Sequence, residues 1–271
     1  MRTQISFAAA AAAVLATASA SASTSVTYPY ADDALLHVGE KNGGLAYVTE
    51  GVEDADEPAP VVVYLHGLND CGSVHFWYGL FNTDLRPLAD EIVAGGKVRP
   101  FVLAAPSQTY DAGSMSTMWG KFDLDTFLDA TEDALPDGVS IDRDAVIVVG
   151  HSGAGCNLKG GLLGTLSPFV ATRPAGIVAA DTCFDANIGT ALGGVPAGTP
   201  VYAFYQPFTW NRDFELFRAS FRQELDRVPG RVGKIVVEDK NGNDPHNAIL
   251  ERALRESLPA LIPIDQPDPY E

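Results

Sequence analysis

Seven apolar runs divide the chain: 44–51 (GLAYVTEG), 60–67 (PVVVYLHG), 100–106 (PFVLAAP), 145–152 (AVIVVGHS), 176–182 (GIVAADT), 200–206 (PVYAFYQ) and 233–239 (GKIVVED). Within most of them the apolar residues are continuous rather than alternating, and many are β-branched. That is the pattern of strands covered on both faces. Between them lie segments with helical spacing, at 80–94, 123–135, 153–165, 212–227 and 245–258. Strand–helix alternation predicts an α/β fold, with a mainly parallel central sheet and helices on both faces. In such a sheet, functional groups gather at the carboxyl ends of the strands. The acidic stretch EDADEPAP (53–60) reads as a surface loop, and the tail PIDQPDPYE as a polar end that frays. No internal repeat or long linker interrupts the pattern.

The first 22 residues stand outside it. Arg2 precedes an Ala-rich apolar run from Ile5 to Ala18, followed by small-x-small triplets at Ala18–Ala20 and Ala20–Ala22. This predicts a secretory signal peptide over 1–22, a single domain over 23–271, and a secreted protein, extracellular or periplasmic. An N-terminal membrane anchor is the alternative, but the run is short for a span. The formal charge of −17 argues against nucleic acid and anionic membranes as partners, because phosphate binding needs clustered Lys and Arg. Three cysteines, Cys71, Cys156 and Cys183, in an oxidising compartment suggest one disulfide and one free thiol. Which two pair is open. No cysteine or histidine spacing suggests a metal site, and no cofactor is expected.

The most informative stretch is VIVVGHSGAGCNLKG (146–160). A β-branched strand runs into a small-residue turn carrying Ser152, and a helix is expected to follow. In a strand–turn–helix with Gly-x-Ser-x-Gly spacing, the serine sits on a strained bend with its hydroxyl raised above the sheet edge. Positions two before and two after must be small; here they are Gly150 and Ala154, the latter a departure from glycine. The amide of Gly153 points into the same space from a helix start, where negative charge is favoured. The competing reading is a glycine-rich connection that binds phosphate, without a Walker lysine to support it.

On these residues the chain resembles the α/β-hydrolase superfamily, specifically its secreted esterase and lipase-like members. VVVYLHGLND (61–70) is similar to the strand ending in His-Gly whose following loop supplies an oxyanion-hole amide. ADTCFD (180–185) resembles a strand-end aspartate segment of pancreatic-type lipases. The resemblance covers roughly residues 44–260. It implies a Ser–His–Asp triad in the chain order serine, acid, histidine. Of His37, His66, His75, His151 and His246, only His246 follows Ser152 with room for an acid between, so it is the expected base. His151 is expected to pack beside the turn. For the acid, Asp181 ends an apolar strand, where an unused carboxylate is costly; Asp213 and Asp185 remain alternatives. The oxyanion hole is assigned to the backbone amides of Leu68 and Gly153, with Asn69 next in line.

Residues 183–199, where many lipases carry a cap, are expected to hold a short turn of helix at most, so no large lid domain is expected. Tyr110, Met115, Met118 and Trp119 in the 107–123 connection individually read as packing and collectively as one pocket wall. His75, Phe76, Trp77 and Tyr78 read as the wall opposite. Together these features predict a serine hydrolase acting on carboxylic esters through an acyl-enzyme. Its expected partner is a small-molecule or polymeric ester; it should be a monomer, with no membrane contact once the signal is removed. A peptidase, thioesterase or acyltransferase using the same triad, or a catalytically dead binding protein on the same scaffold, is the alternative.

Overall fold

The computed structural model describes residues 22–30, 43–68, 84–107, 115–120, 122–209, 214–239 and 242–264. The signal-peptide expectation, Cys71 and the 75–78 wall lie outside them. Among the described residues eight strands form one sheet: β1 (Thr24–Tyr28), β2 (Gly44–Val48), β3 (Ala59–Leu65), β4 (Val102–Pro106), β5 (Ile141–His151), β6 (Gly176–Ala180), β7 (Val201–Tyr205) and β8 (Gly233–Val237). Their order across the sheet is β1-β2-β4-β3-β5-β6-β7-β8. β1 and β4 pair antiparallel with β2, and every other pairing is parallel.

The period-2 geometry of the buried strands sorts their side chains into two apolar layers. Val61, Val63, Val146, Val148, Ile177 and Ala203 face the helices α2 (Leu124–Ala134), α4 (Ala186–Gly193) and α5 (Phe214–Arg227), meeting Phe127, Leu128, Ile188, Phe217 and Phe221. Val62, Tyr64, Leu103, Ile147, Val149, Val178 and Phe204 face α1 (Leu85–Ala94) and α6 (Pro245–Leu261), meeting Leu85, Ile92, Ile249, Leu250 and Leu254. A sheet covered on both faces leaves only its strand ends for chemistry. Several helices start on acids: Asp84, Asp123, Asp185 and Asp244 cap α1, α2, α4 and α6 by accepting backbone N–H groups. Such a cap is worth about 0.5–2 kcal/mol.

The structure differs from the sequence reading in three places. β1 was not expected: only one face of this short edge strand is shielded, and its apolar content is low. The helix expected over 153–165 is two separate pieces, a 3₁₀ turn at Ser152–Gly155 and the short α3 at Gly161–Gly164. Asn157 diverts the chain between them, its side chain accepting from Lys159 N (3.0 Å) and donating to Met118 O (2.8 Å). Gly161 then takes a φ of 54°, outside the right-handed helix. Finally, residues 183–199 hold the eight-residue α4, more than one turn of helix. Its glycines read as loop in the sequence, yet they let α4 lie close on α5. A Cβ at Gly189 or Gly193 would stand 2.6 or 2.5 Å from the carbonyl oxygens of Phe217 or Phe221.

Candidate active site

β5 ends at His151 and the chain leaves it through Ser152 at φ 54°. A non-glycine residue held there costs on the order of 1–3 kcal/mol and persists only where its surroundings enforce it. Several neighbours do so. A Cβ at Gly67 would stand 2.6 Å from Ser152 Cβ and 2.9 Å from its Oγ, so the chain after β3 passes directly against the serine. A Cβ at Gly150 would stand 2.9 Å from Leu162 Cβ, and the buried Ala154 has its carbonyl against Gly161. Ser152 itself is half-buried.

Beside the serine, the main chain of Gly153 meets that of Leu68. A Cβ at Gly153 would be 3.4 Å from Leu68 N and 2.5 Å from Met118 Sδ. The chain at Leu68 therefore passes close to Gly153. Met118 and Trp119 are fully buried. Trp119 sits at φ 57° and its indole N–H donates to His66 O (3.1 Å), which fastens this connection to the end of β3. These two residues therefore pack behind the turn, whereas Met115 is exposed. Tyr110 and Asn69 lie outside the described residues.

β6 delivers Asp181, also in the left-handed region at φ 45°, with its N–H bonded to Phe204 O (2.7 Å). The carboxylate is buried, which is tolerable only with hydrogen-bond donors at hand. Its Oδ2 accepts from His246 Nδ1 and from Gln206 Nε2 (2.6 Å). Gln206 is completely buried, and its Oε1 accepts from the amides of Phe208 and Thr209, each at 2.9 Å. Those two bonds fix which way the amide points, so its NH₂ must face Asp181. Gln206 was missed by the sequence reading. The hint was a polar residue ending an apolar strand, the feature that singled out Asp181, but its partner shows only once β7 lies beside β6. Of the alternative acids, Asp185 has its carboxylate occupied by the amides of Asn187 and Ile188 at the start of α4. Asp213 lies outside the described residues.

His246 is the second residue of α6, whose cap Asp244 stands at φ 51° ahead of Pro245. Beneath it lies His151. The two rings stack with centroids 4.6 Å apart and planes at 30°, and His151 Nε2 is 2.9 Å from His246 O. A carbonyl only accepts, so His151 carries its proton on Nε2. Its Nδ1 is buried without a hydrogen-bond partner among the described residues. Burial and the neighbouring His246 lower the pKa of His151 from 6.5 to about 4, so this imidazole is neutral. The stack places His246 over the residue adjoining Ser152. An imidazole whose Nδ1–H is tied to a carboxylate keeps Nε2 as its basic nitrogen.

A disulfide joins Cys156 to Cys183, with Cα atoms 4.8 Å apart. It settles the pairing the sequence left open, and it links the turn that starts at Ser152 to the segment that follows Asp181. Among the described residues no cluster of His, Cys, Asp and Glu is arranged to hold a metal, and no helix is long and apolar enough to cross a membrane.

No protein-family model matches the chain. No curated protein matches it in sequence. Its shape is similar to solved structures. A ferulic acid esterase aligns with TM-score 0.56 at 16% identity, over 89% of this chain and 98% of that one. The feruloyl esterase module from Clostridium thermocellum, an S954A mutant complexed with sinapinate, aligns with TM-score 0.52 at 12% identity, over 87% and 94%. An acylaminoacyl peptidase from Pyrococcus horikoshii aligns with TM-score 0.51 at 13% identity, over 86% of this chain and 42% of that one. At such identities the likeness concerns architecture. Together with the strand order and the placement of groups at the carboxyl edge, it shows that this chain has the α/β-hydrolase fold.

Proposed function

We propose that the protein is a secreted serine hydrolase that cleaves carboxylic esters. The observation that carries this reading is the pairing of His246 Nδ1 with the buried Asp181 carboxylate, at the end of the strand beside the one that delivers Ser152 at φ 54°. Ser152 Oγ attacks the ester carbonyl while His246 Nε2 takes its proton. The tetrahedral oxyanion accepts from the amides of Gly153 and Leu68, each donor being worth on the order of 3 kcal/mol. Collapse expels the alcohol, which receives the proton from His246, and leaves an acyl-serine. Water then attacks the acyl carbon, with His246 again as base, and the acid departs as Ser152 regains its proton. Asp181 orients the imidazole and stabilises its protonated form without taking the proton.

The similarity in shape to esterases supports an ester as substrate, and the disulfide is compatible with an oxidising compartment. A fluorophosphonate probe tests the chemistry. Labelling of the wild type that vanishes in Ser152→Ala is expected. Labelling that persists in Ser152→Ala would place the nucleophile elsewhere, and a folded wild type that does not label would favour a binding protein on this scaffold. A panel of chromogenic esters of increasing acyl length, run beside matched amides, then separates esterase from peptidase.

A further inference from the structure

Among the buried titratable groups, His151 has no part in the proposed reaction, yet it is bonded to the group that does. Three observations converge on it. It is the last residue of β5, the strand that delivers Ser152, so its position is fixed by the sheet. Its ring lies under that of His246, and its Nε2–H is donated to the His246 carbonyl. Its Nδ1 has no partner among the described residues although the ring is buried. A buried polar atom left unpaired is a cost, and a phenyl ring would fill the same space without it.

We infer that His151 is a positioning residue for the base: it sets the main chain and ring plane of His246 so that the imidazole spans from Asp181 to Ser152. The inference rests on the triad proposed above. The carbonyl of His246 lies in the first turn of α6, where helix geometry also offers it the amide four residues on. Losing the His151 donor therefore leaves that carbonyl served, so the expected consequence is misorientation rather than unfolding. The stack also bears on charge. His246 becomes an imidazolium during turnover, and a neutral ring beneath it avoids the repulsion that a second cation would exert. Asp181 and Asp244 face His151 as well and favour its protonated form, but burial and His246 outweigh them.

The test compares wild type, His151→Phe, His151→Gln and Ser152→Ala as full-length mature proteins. It measures kcat and KM on a chromogenic ester, the fluorophosphonate labelling rate and the thermal midpoint. His151→Phe keeps a ring for stacking and removes the donor. We expect kcat to fall by about tenfold or more with KM unchanged, since a misplacement of an ångström can cost up to a hundredfold. His151→Gln, which can donate to the same carbonyl, should recover part of the loss. A kcat within twofold of wild type in folded His151→Phe overturns the inference. So does a loss that His151→Gln does not relieve while both variants melt like wild type. If His151→Phe does not fold, the inference stands or falls on His151→Gln alone, which must keep more than a tenth of the wild-type kcat with KM unchanged. Failure of the underlying triad shows separately, as a wild type that neither turns over nor labels, or as a Ser152→Ala protein that still does.

Discussion

The two sides of the candidate site are held in different ways. Ser152 and Asp181 leave the ends of adjacent parallel strands, both at positive φ, and a disulfide ties together the segments that follow them. Packing reinforces the bridge: a Cβ at Gly155 would stand 2.6 Å from Thr182 Cγ2. His246 has no covalent tie. It stands at the start of a helix and is held by Asp181, by the ring of His151 and by a capped turn. Strain on one side is retained by a cross-link and close packing, whereas the other side depends on hydrogen bonds and a stack. His246 is therefore the adjustable member, and perturbations should register differently on the two sides.

The largest expected effect falls where the sides meet. Asp181→Asn keeps the shape but offers His246 an amide, which favours the wrong tautomer. The kcat should drop by about 10³–10⁴-fold with little change in melting, as steady-state kinetics and calorimetry would show. Retention of wild-type kcat would point back to Asp213 as the acid. Removing the bridge with paired Cys156→Ala and Cys183→Ala substitutions tests the braced side. The bridge closes a 27-residue separation, so its loss should cost about 3–4 kcal/mol by denaturant unfolding. Activity per folded molecule should fall as well, because Ser152 and Asp181 are then freer to relax. A bridge whose loss changes neither quantity would mean that packing alone holds the strain.

A pH effect of similar size belongs to His151. Its folded pKa of about 4 lies below the ordinary 6.5, so the unfolded chain binds a proton in that interval that the folded protein refuses. The stability it contributes is fully present above pH 6.5 and declines as pH falls, levelling below about 4. The span is on the order of 3 kcal/mol. Stability measured between pH 7.5 and 4 should fall more steeply for wild type than for His151→Phe; equal slopes would show that the imidazole is not buried neutral. The smallest effect is expected at the cap of α6. Asp244→Ala loses the bond to the Asn247 amide and puts a Cβ residue at φ 51° without compensation, for about 1 kcal/mol. Asp244→Gly, which tolerates that φ, should lose less. If Ala and Gly are equivalent, the strain does not matter there, and if both melt like wild type, neither does the cap.

How far the sequence could be read follows the same division. The strands β2 to β7 were legible because continuous apolar runs permit one environment, a sheet covered on both faces, and β8, an edge strand, because it keeps an Ile-Val-Val run. β1 was not, since a half-exposed edge strand carries little apolar signal. That Asp181 and His246 should pair was legible as an expectation, from a carboxylate ending an apolar strand and from the chain order that the resemblance implies. The part of Gln206 was not, because its amide acquires meaning only when β7 is laid beside β6. Likewise the small residues of α4 looked like loop until α5 was there to need them.

The amino-acid sequence by itself determined the layered sheet and the bend at Ser152. These are properties of local periodicity and of glycine spacing. Only the tertiary structure decided which cysteines join, which side chain steadies Asp181 and that His151 lies against His246. Those contacts link residues 25 to 95 positions apart. At such separations nothing in the local pattern constrains distance, and only the register of the strands and the docking of α6 bring the partners together.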